Sequence, residues 1–314
     1  MIQAIHQAIL AHDKIIVARH KNPDLDAYGS QFGMYYALKN AFPEKQIFAI
    51  GDTNALNRFE PFEEATKELF EGSLYLMLDT VAIQMIGNDW HTYAKTVVLI
   101  DHHQNDPDIP YELYWKDTTS SSTSELVFLF LEGAKIPITP DSARAIFMGI
   151  VGDTGRFMFS TSSRTLLVAS KLAEIGVNMK EIYGGMYTES LSSKQMKAAY
   201  FHSITITPQG VGYRKNDQAF LDEFHVDAHA ASRGLVSQMS GIEEIPIWVN
   251  FTYDKSIDQI LCEIRSRDKI VLDVAKAHGG GGHPTACGCR VATWEETDVI
   301  INELNQLLEE TNHG

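Results

Sequence analysis

The chain of 314 residues is long enough for two domains, and 44% hydrophobic with 21% charged residues indicates packed cores. Its 26 basic and 41 acidic residues give a formal net charge of −15, which argues against binding long nucleic acid through the phosphate backbone. No apolar run approaches the roughly 20 residues of a membrane span. The N-terminus lacks a signal-peptide pattern, and three late cysteines do not predict a disulfide framework. We therefore expect a protein of the reducing cytoplasm that binds no membrane.

Strand-like and helical stretches alternate from the N-terminus to about residue 185. After a short amphipathic helix at the start, we predict strands at 14–19, 45–50, 73–78 and 96–100, and helices near 27–40, 122–133, 140–152, 164–175 and 178–184. Strands that alternate with helices in this way predict an α/β fold, with a mainly parallel sheet and helices on both faces.

The pattern changes after about residue 203, where strand pairs follow one another. We predict strands within ITITPQGVGYRK, IPIWVNFTYD and DQILCEIRSR, and helices near 227–239, 268–277 and 294–310. These elements indicate a second, smaller α/β domain. We place a first domain at 1–187, a linker in the polar stretch 188–196 and a second domain at 197–314.

Aspartates and histidines stand where predicted strands of the first domain end, and one aspartate follows a predicted helix. In chain order they are His20, Asp24, Asp26, Asp79, Asp101, His102, His103 and Asp153. The carboxyl edge of a parallel sheet is where such folds bind ligands. Each residue alone is typical of a helix cap or a turn. Together they predict a site for two divalent ions, in which carboxylates hold the ions about 3.5–4 Å apart and promote phosphoryl displacement.

These segments resemble the motifs of the DHH phosphoesterase family. H-x-N-P-D-x-D-A-x-G-S stands at 20–30, a lone aspartate at 79, D-H-H at 101–103 and G-D-T-G at 152–155. One departure is Leu25, where glycine is common in the family. The resemblance implies that one ion is bound by His20 and Asp24, that the other is bound by Asp26, His102 and Asp153, and that Asp79 bridges them.

The resemblance also implies the catalytic roles. A metal-bound hydroxide would attack the phosphorus, His103 would face the scissile phosphate, and Asp101 would orient a histidine. Imidazole with carboxylate suits manganese, iron or cobalt. Among these we expect Mn²⁺.

A glycine-rich segment of the second domain, AHGGGGHPTACG at 277–288, is a candidate phosphate site. Consecutive glycines let backbone amides approach a phosphate, although such a run is also typical of a flexible turn. Two cysteines in this region give only a weak zinc signal. R-S upstream of G-G-G-G-H-x-x-A-x-G resembles the DHH-associated C-terminal domain. That resemblance implies substrate binding by Arg265, Ser266, His283, Gly280, Gly281 and Gly282, with Arg267 as a weaker candidate.

The stretch DTTSSSTSEL at 117–126 favours a helix N-cap at Ser122 or Thr123. It also resembles a D-x-x-x-S-S-T-x-E segment of the nanoRNase branch of the family. Direct contact with the substrate is therefore an alternative role for this stretch.

The compact two-domain composition resembles the nanoRNase and pAp-phosphatase branch. This implies a manganese-dependent oligoribonuclease that hydrolyses short RNA, including pApA, to mononucleotides, with pAp as a further expected substrate. A stand-alone cyclic di-AMP phosphodiesterase and a catalytically inactive nucleotide-binding regulator are the alternatives. The resemblance also implies a homodimer.

Overall fold

A computed structural model describes residues 1–61 and 63–311 of the chain. Residue 62 and residues 312–314, which end the predicted second domain, lie outside the described residues. The chain forms two compact units, Met1–Tyr187 and Thr188–Gly314. Both contain a sheet with helices, which confirms the predicted α/β fold.

A five-stranded parallel sheet forms the centre of the first unit. Its strands are β1 (Lys14–Ala18), β2 (Gln46–Ile50), β3 (Leu74–Leu78), β4 (Thr96–Asp101) and β5 (Leu113–Lys116). They lie in the order β2-β1-β3-β4-β5, and every neighbouring pair is parallel. The strand order reverses between β1 and β3. The carboxyl ends of the strands beside such a reversal are the usual ligand site of an open α/β sheet.

Helices cover both faces of this sheet. They are α1 (Ile2–Ala11), α2 (Leu25–Ala41), α3 (Lys67–Phe70), α4 (Thr123–Gly133), α5 (Pro140–Asp153), α6 (Ser163–Glu174) and α7 (Met179–Tyr187). Successive residues of β1 point to opposite faces: Val17 faces the larger core with α2, α4 and α5, whereas Ile16 faces a smaller core that contains Phe70 of α3. The larger core therefore lies on the face where the helices carry the acidic motifs.

Two glycines set how closely α2 and α5 approach each other. A Cβ atom added to Gly29 would lie 2.7 Å from the Cα atom of Gly149, so only glycine fits at this crossing. Asp26 lies in the first turn of α2 and Asp153 is the last residue of α5. The close crossing thus brings the N-terminal end of one helix next to the C-terminal end of the other.

A six-stranded mixed sheet forms the centre of the second unit. Its strands are β6 (Thr205–Ile206), β7 (Val211–Asn216), β8 (Ile247–Asp254), β9 (Gln259–Ser266), β10 (Gly281–His283) and β11 (Ala286–Val291), in the order β10-β11-β9-β8-β7-β6. Within the described strands of this second sheet, β7 and β8 pair in parallel, and every other neighbouring pair is antiparallel. The helices are α8 (Leu191–His202), α9 (Gln218–Phe224), α10 (Ala228–Leu235), α11 (Leu272–Ala277) and α12 (Trp294–Thr311). None of the described helices is both long and apolar enough to span a membrane.

Helix α8 begins inside the stretch 188–196 that the sequence predicts as a linker. Ser190 caps it, because its side chain accepts a hydrogen bond from the backbone amide of Ser193. Tyr200 near its C-terminal end is fully buried and donates a hydrogen bond to Asn250 at 3.1 Å. The serine-rich sequence that reads as a linker is therefore the capped start of a helix of the second unit.

The three cysteines of the chain all lie in the sheet of the second unit. Cys262 is on β9, and Cys287 and Cys289 are on β11. All three are free thiols and buried. Cys262 and Cys289 face each other as register partners across the two antiparallel strands. Their side chains belong to the core that α11 and α12 cover.

Candidate metal centre

The turn after β1 places His20 and Asp24 beside each other. The ring of His20 is buried, and its Nδ1 donates to the carbonyl oxygen of Lys21 at 2.7 Å. The other nitrogen, Nε2, lies 3.5 Å from Oδ2 of Asp79 and 4.0 Å from Oδ1 of Asp24. Asp24 also caps α2 by accepting two backbone amides through Oδ1. It is thus both a cap and a ligand candidate.

One ring nitrogen of His102 lies near two carboxylates from other segments of the chain, those of Asp26 and Asp153. The Nε2 atom of His102 lies 3.2 Å from Oδ2 of Asp153 and 4.0 Å from Oδ2 of Asp26. This nitrogen is buried, yet it has no hydrogen-bond partner among the described residues. A buried ring nitrogen between two carboxylates, without a hydrogen bond, has the surroundings of a metal ligand.

Asp79 at the end of β3 faces both groups of side chains. Its φ of +64° lies in the left-handed region, which is uncommon for residues other than glycine and is often found at functional sites. One carboxylate oxygen lies 3.5 Å from Nε2 of His20, and the other lies 3.7 Å from Nε2 of His102. A carboxylate whose two oxygens face histidines of two different groups has the geometry of a bridging ligand.

Asp101 and His103 form a hydrogen-bonded pair at the end of β4. The Nδ1 atom of His103 donates to Oδ1 of the fully buried Asp101 at 2.7 Å. This hydrogen bond raises the pKa of His103. The side chain of His103 is 44% exposed. An imidazole whose Nδ1 is bound to a buried carboxylate, and whose ring lies at an exposed edge, is suited to donate a proton or a hydrogen bond to an anionic substrate.

The carboxylates of this edge repel one another. Burial is the largest cause that raises the pKa values of Asp26 and Asp79, and neighbouring aspartates raise that of Asp79 further. Burial and then Asp26 and Asp24 raise the pKa of Asp153 to about 9. In the described part of the chain, histidine rings are the only basic groups within 4.0 Å of these carboxylates. The edge therefore lacks positive charge, which divalent cations would supply.

Three sets of donors at this edge are close enough to hold a metal ion, with the ligand atoms of each set within 4.8 Å of one another. They are His20 with Asp24 and Asp79, Asp26 with His102 and Asp153, and Asp79 with His102 and His103. All donors are oxygen or imidazole nitrogen, which fits a divalent ion such as Mn²⁺. The structure thus brings together all the side chains that the sequence predicts as ligands.

The glycine-rich segment lines a cavity of about 590 Å³ in the second unit. Three arginines and one glutamate line it, namely Arg233, Arg265, Arg290 and Glu263, so its charge favours an anion. Arg265 is held in place there, because it donates to the carbonyl oxygen of Cys287 at 3.1 Å and pairs with Glu263 at 2.9 Å.

Two of the predicted substrate-binding residues do not line this cavity. The hydroxyl group of Ser266 donates to the carbonyl oxygen of Lys269, so it is engaged within a turn. His283 ends β10 and is exposed. Arg267 donates to the carbonyl oxygen of Ile242, also away from the cavity lining. Of the predicted set, the structure brings Arg265 and the glycines together.

The three glycines that the sequence predicts as substrate-binding serve different purposes at this cavity. A Cβ atom on Gly280 would lie 2.1 Å from the carbonyl oxygen of Gly288, and one on Gly282 would lie 2.7 Å from the Cα atom of Cys287. At these two positions glycine permits the close approach to β11. A Cβ atom on Gly281 would meet nothing within 4 Å. Gly281 is therefore the position where the backbone is open to a ligand.

Some residues of these sites carry no signal in the sequence. His229 and Arg233 line the cavity from α10, which lies far from the glycine segment along the chain.

The start of α4 in the first unit combines a helix cap with a contact to the metal centre candidate. Ser122 caps α4 as predicted, since its side chain accepts a hydrogen bond from the backbone amide of Glu125. The hydroxyl group of the next residue, Thr123, donates to Asp79 at 3.0 Å. A helix cap and a contact with a ligand carboxylate have the same sequence signature, so the sequence does not separate them.

Comparison with known proteins places this chain among relatives of the same architecture. Residues 14–150 match the DHH family, N-terminal domain, and residues 219–310 match the DHHA1 domain. The chain is 34% identical to the bifunctional oligoribonuclease and PAP phosphatase NrnA of Bacillus subtilis (strain 168), with 97% of each chain covered. The chain belongs to the DHH family.

Other proteins are similar to this chain over nearly its full length. A probable bifunctional oligoribonuclease and PAP phosphatase NrnA of Streptococcus mutans is 30% identical, with 96% of each chain covered. The crystal structure of an exopolyphosphatase-related protein from Bacteroides fragilis aligns with a TM-score of 0.85 over 98% of this chain and 95% of that chain, at 23% identity. This likeness in structure supports the fold of the chain.

Proposed function

We propose that the chain is a manganese-dependent phosphoesterase that hydrolyses short RNA oligonucleotides, including pApA, to mononucleotides and converts pAp to AMP. The observation that carries the proposal is the position of Asp79 between two sets of donors at one sheet edge. The similarity to the bifunctional oligoribonuclease and PAP phosphatase of Bacillus subtilis, which covers 97% of both chains, supports the choice of substrates.

The two ions would be held by two groups of donors on either side of Asp79, whose two carboxylate oxygens each face a histidine of one group. His20 and Asp24 would hold one ion, and Asp26, His102 and Asp153 would hold the other. When bound, a pair of divalent ions acidifies a water molecule and neutralises charge on the phosphate oxygens.

The protein groups around the ions have separate tasks. His103 would donate to an oxygen of the scissile phosphate through Nε2, because its Nδ1 is bound to Asp101. Asp101 would keep the ring in this orientation and favour its protonated form. In the second unit, Arg265 and the amide of Gly281 would bind the phosphate or nucleotide that is not cleaved. We also propose a homodimer, on the resemblance alone.

The proposal is tested with a product time course in Mn²⁺, on pAp, a 5′-phosphorylated RNA dinucleotide, a 20-mer RNA and cyclic di-AMP. We expect fast release of mononucleotides from the dinucleotide and of AMP from pAp, with the 20-mer and the ring nearly untouched. Chelation should stop both reactions. Fast opening of cyclic di-AMP would instead assign a cyclic-dinucleotide phosphodiesterase. No turnover of any substrate by protein with bound Mn²⁺ would favour a nucleotide-binding regulator.

A further inference from the structure

Six consecutive polar residues, 120–125, are buried between β5 and the first turn of α4. A helix N-cap requires one such residue, and Ser122 fills that role. Buried polar groups are costly unless they are hydrogen-bonded, so the others need partners of their own. Their partners connect this segment to the metal centre candidate.

Two carboxylates of the centre accept hydrogen bonds from the start of α4. The backbone amides of Thr123 and Ser124 donate to Oδ2 and Oδ1 of Asp26 at 2.7 and 2.8 Å. The hydroxyl group of Thr123 donates to Oδ1 of Asp79 at 3.0 Å. Thr123 therefore contacts one carboxylate through its backbone and the other through its side chain. Each carboxylate oxygen accepts more than one hydrogen bond or ligand, so these contacts leave room for a metal ion.

A buried network behind the segment holds the start of α4 in place. The carboxylate of Glu125 is fully buried and accepts from Nε of Arg164 at 2.6 Å. Its other oxygen accepts from the hydroxyl groups of Ser121 at 2.6 Å and Thr165 at 2.9 Å. Arg164 also pairs with Asp117 at 3.1 Å. The network ties the segment to α6 and limits its movement relative to the two aspartates.

For residues 122–124, burial argues against the direct substrate contact that the sequence leaves open for the stretch 117–126. Ser122, Thr123 and Ser124 each have 0% of their surface exposed. A substrate that occupies the open edge therefore cannot touch these side chains directly. They act through the carboxylates that they contact.

We propose that Thr123 is a positioning residue that sets the distance and orientation between Asp79 and Asp26, and so the affinity for the pair of metal ions. The inference rests on the proposed two-metal function. Asp79 and Asp26 belong to different donor sets, and Thr123 is the described residue that donates hydrogen bonds to both. Outer groups of this kind commonly change metal affinity or activity about 10–100-fold when they are lost.

The test compares Thr123→Val, which removes the hydroxyl group at nearly constant volume, with Thr123→Ser, which keeps it. Thr92→Val is the matched control, because the exposed Thr92 donates its hydroxyl group to the backbone carbonyl oxygen of Asp89, which belongs to none of the donor sets. Mn²⁺ binding to the metal-free proteins is measured by calorimetry. Electron paramagnetic resonance of the Mn²⁺-loaded proteins reports the spin coupling of two neighbouring ions. Steady-state kinetics on pAp separates kcat from KM.

We expect Thr123→Val to weaken the binding of at least one Mn²⁺ ion about 10–100-fold, to change the coupled spectrum and to lower kcat with little change in KM. Thr123→Ser and Thr92→Val should stay within about threefold of the unchanged protein. Wild-type affinity and spectrum in Thr123→Val, or a change in KM alone, would overturn the inference. If Thr123→Val does not fold, Thr123→Ala takes its place with the same readouts. Two Mn²⁺ ions bound by an unchanged protein that hydrolyses none of the substrates would overturn the proposed function, not the role of Thr123.

Discussion

Two sites of the molecule are suited to ligands of opposite charge. They are the metal centre candidate of the first unit and the glycine-lined cavity of the second unit. Asp26 and Asp79 are 1% and 2% exposed, and helix amides and a hydroxyl group hold them in place. The side chain of Arg233 at the cavity is 76% exposed. The comparison shows that a buried, crowded set of acids is suited to cations, whereas an open cavity with arginines and bare backbone is suited to a phosphate.

The largest effect that would test this contrast is expected from Asp79→Ala. Loss of the ligand shared by two donor sets should lower turnover of every substrate by on the order of a thousandfold or more. Asp89→Ala, at an exposed aspartate that belongs to none of the donor sets, is the control. Rates near those of the unchanged protein, with far-UV circular dichroism also unchanged, would contradict a bridging role for Asp79.

A smaller and substrate-dependent effect is expected from Arg265→Ala. We expect kcat/KM on pAp and the RNA dinucleotide to fall about 10–100-fold, since a charge-assisted hydrogen bond contributes roughly 1.5–3 kcal/mol. A small artificial phosphodiester that reaches only the first unit should be cleaved at the usual rate. Arg267→Ala is the control, because its guanidinium group is bonded elsewhere. An equal loss on both kinds of substrate would remove Arg265 from substrate binding.

The pair Gly280→Ala and Gly281→Ala separates packing from binding within the cavity. Gly280→Ala forces a Cβ atom to 2.1 Å from a carbonyl oxygen, so the free energy of unfolding should fall by about 1–3 kcal/mol. Gly281→Ala meets no neighbour and should keep the stability while it weakens binding of pAp. Urea unfolding and calorimetric titration measure the two effects. Equal stability of both variants would refute the packing role of Gly280.

The smallest expected effect is a pH dependence that belongs to the first unit. The pKa of Asp153 is raised from 3.8 to about 9 in the folded protein, so the folded state binds more protons than the unfolded state between these values. The free energy of unfolding of the metal-free protein should therefore fall as the pH rises from 6 to 9. Thermal unfolding of Asp153→Asn should show a shallower slope, and added Mn²⁺ should flatten it in the unchanged protein. A steeper slope in Asp153→Asn would contradict this assignment.

The strands of the first unit are predicted better than those of the second, because most strands of the first unit are buried runs of β-branched and aliphatic residues. β1 to β4 lie within one residue of their predicted bounds. β5 is missed since its four residues are all only half buried and include a lysine, as in an edge strand. β10 and β11 are missed because the glycine-rich segment 277–288, which contains β10 and the start of β11, reads as a turn.

The positions of some residues in the two sites can be predicted from the sequence, and those of others cannot. The ligand candidates lie together because each stands at the end of a strand or helix, and those ends meet at one sheet edge. The cavity residue Arg233 is not foreseeable, since its place depends on how α10 packs on β8 and β9. The contact of Thr123 with Asp79 is likewise a product of tertiary packing across 44 positions of the chain.

The three buried cysteines give the protein an internal reporter of its own unfolding. All of them lie on β9 and β11, in the centre of the second unit, and the first unit has none. All three line the cavity but are at most 8% exposed, so a thiol reagent should react with them slowly in the folded protein and rapidly once this sheet opens. The rate of thiol modification therefore follows opening of the second unit alone, without an engineered label, while the first unit contributes no signal.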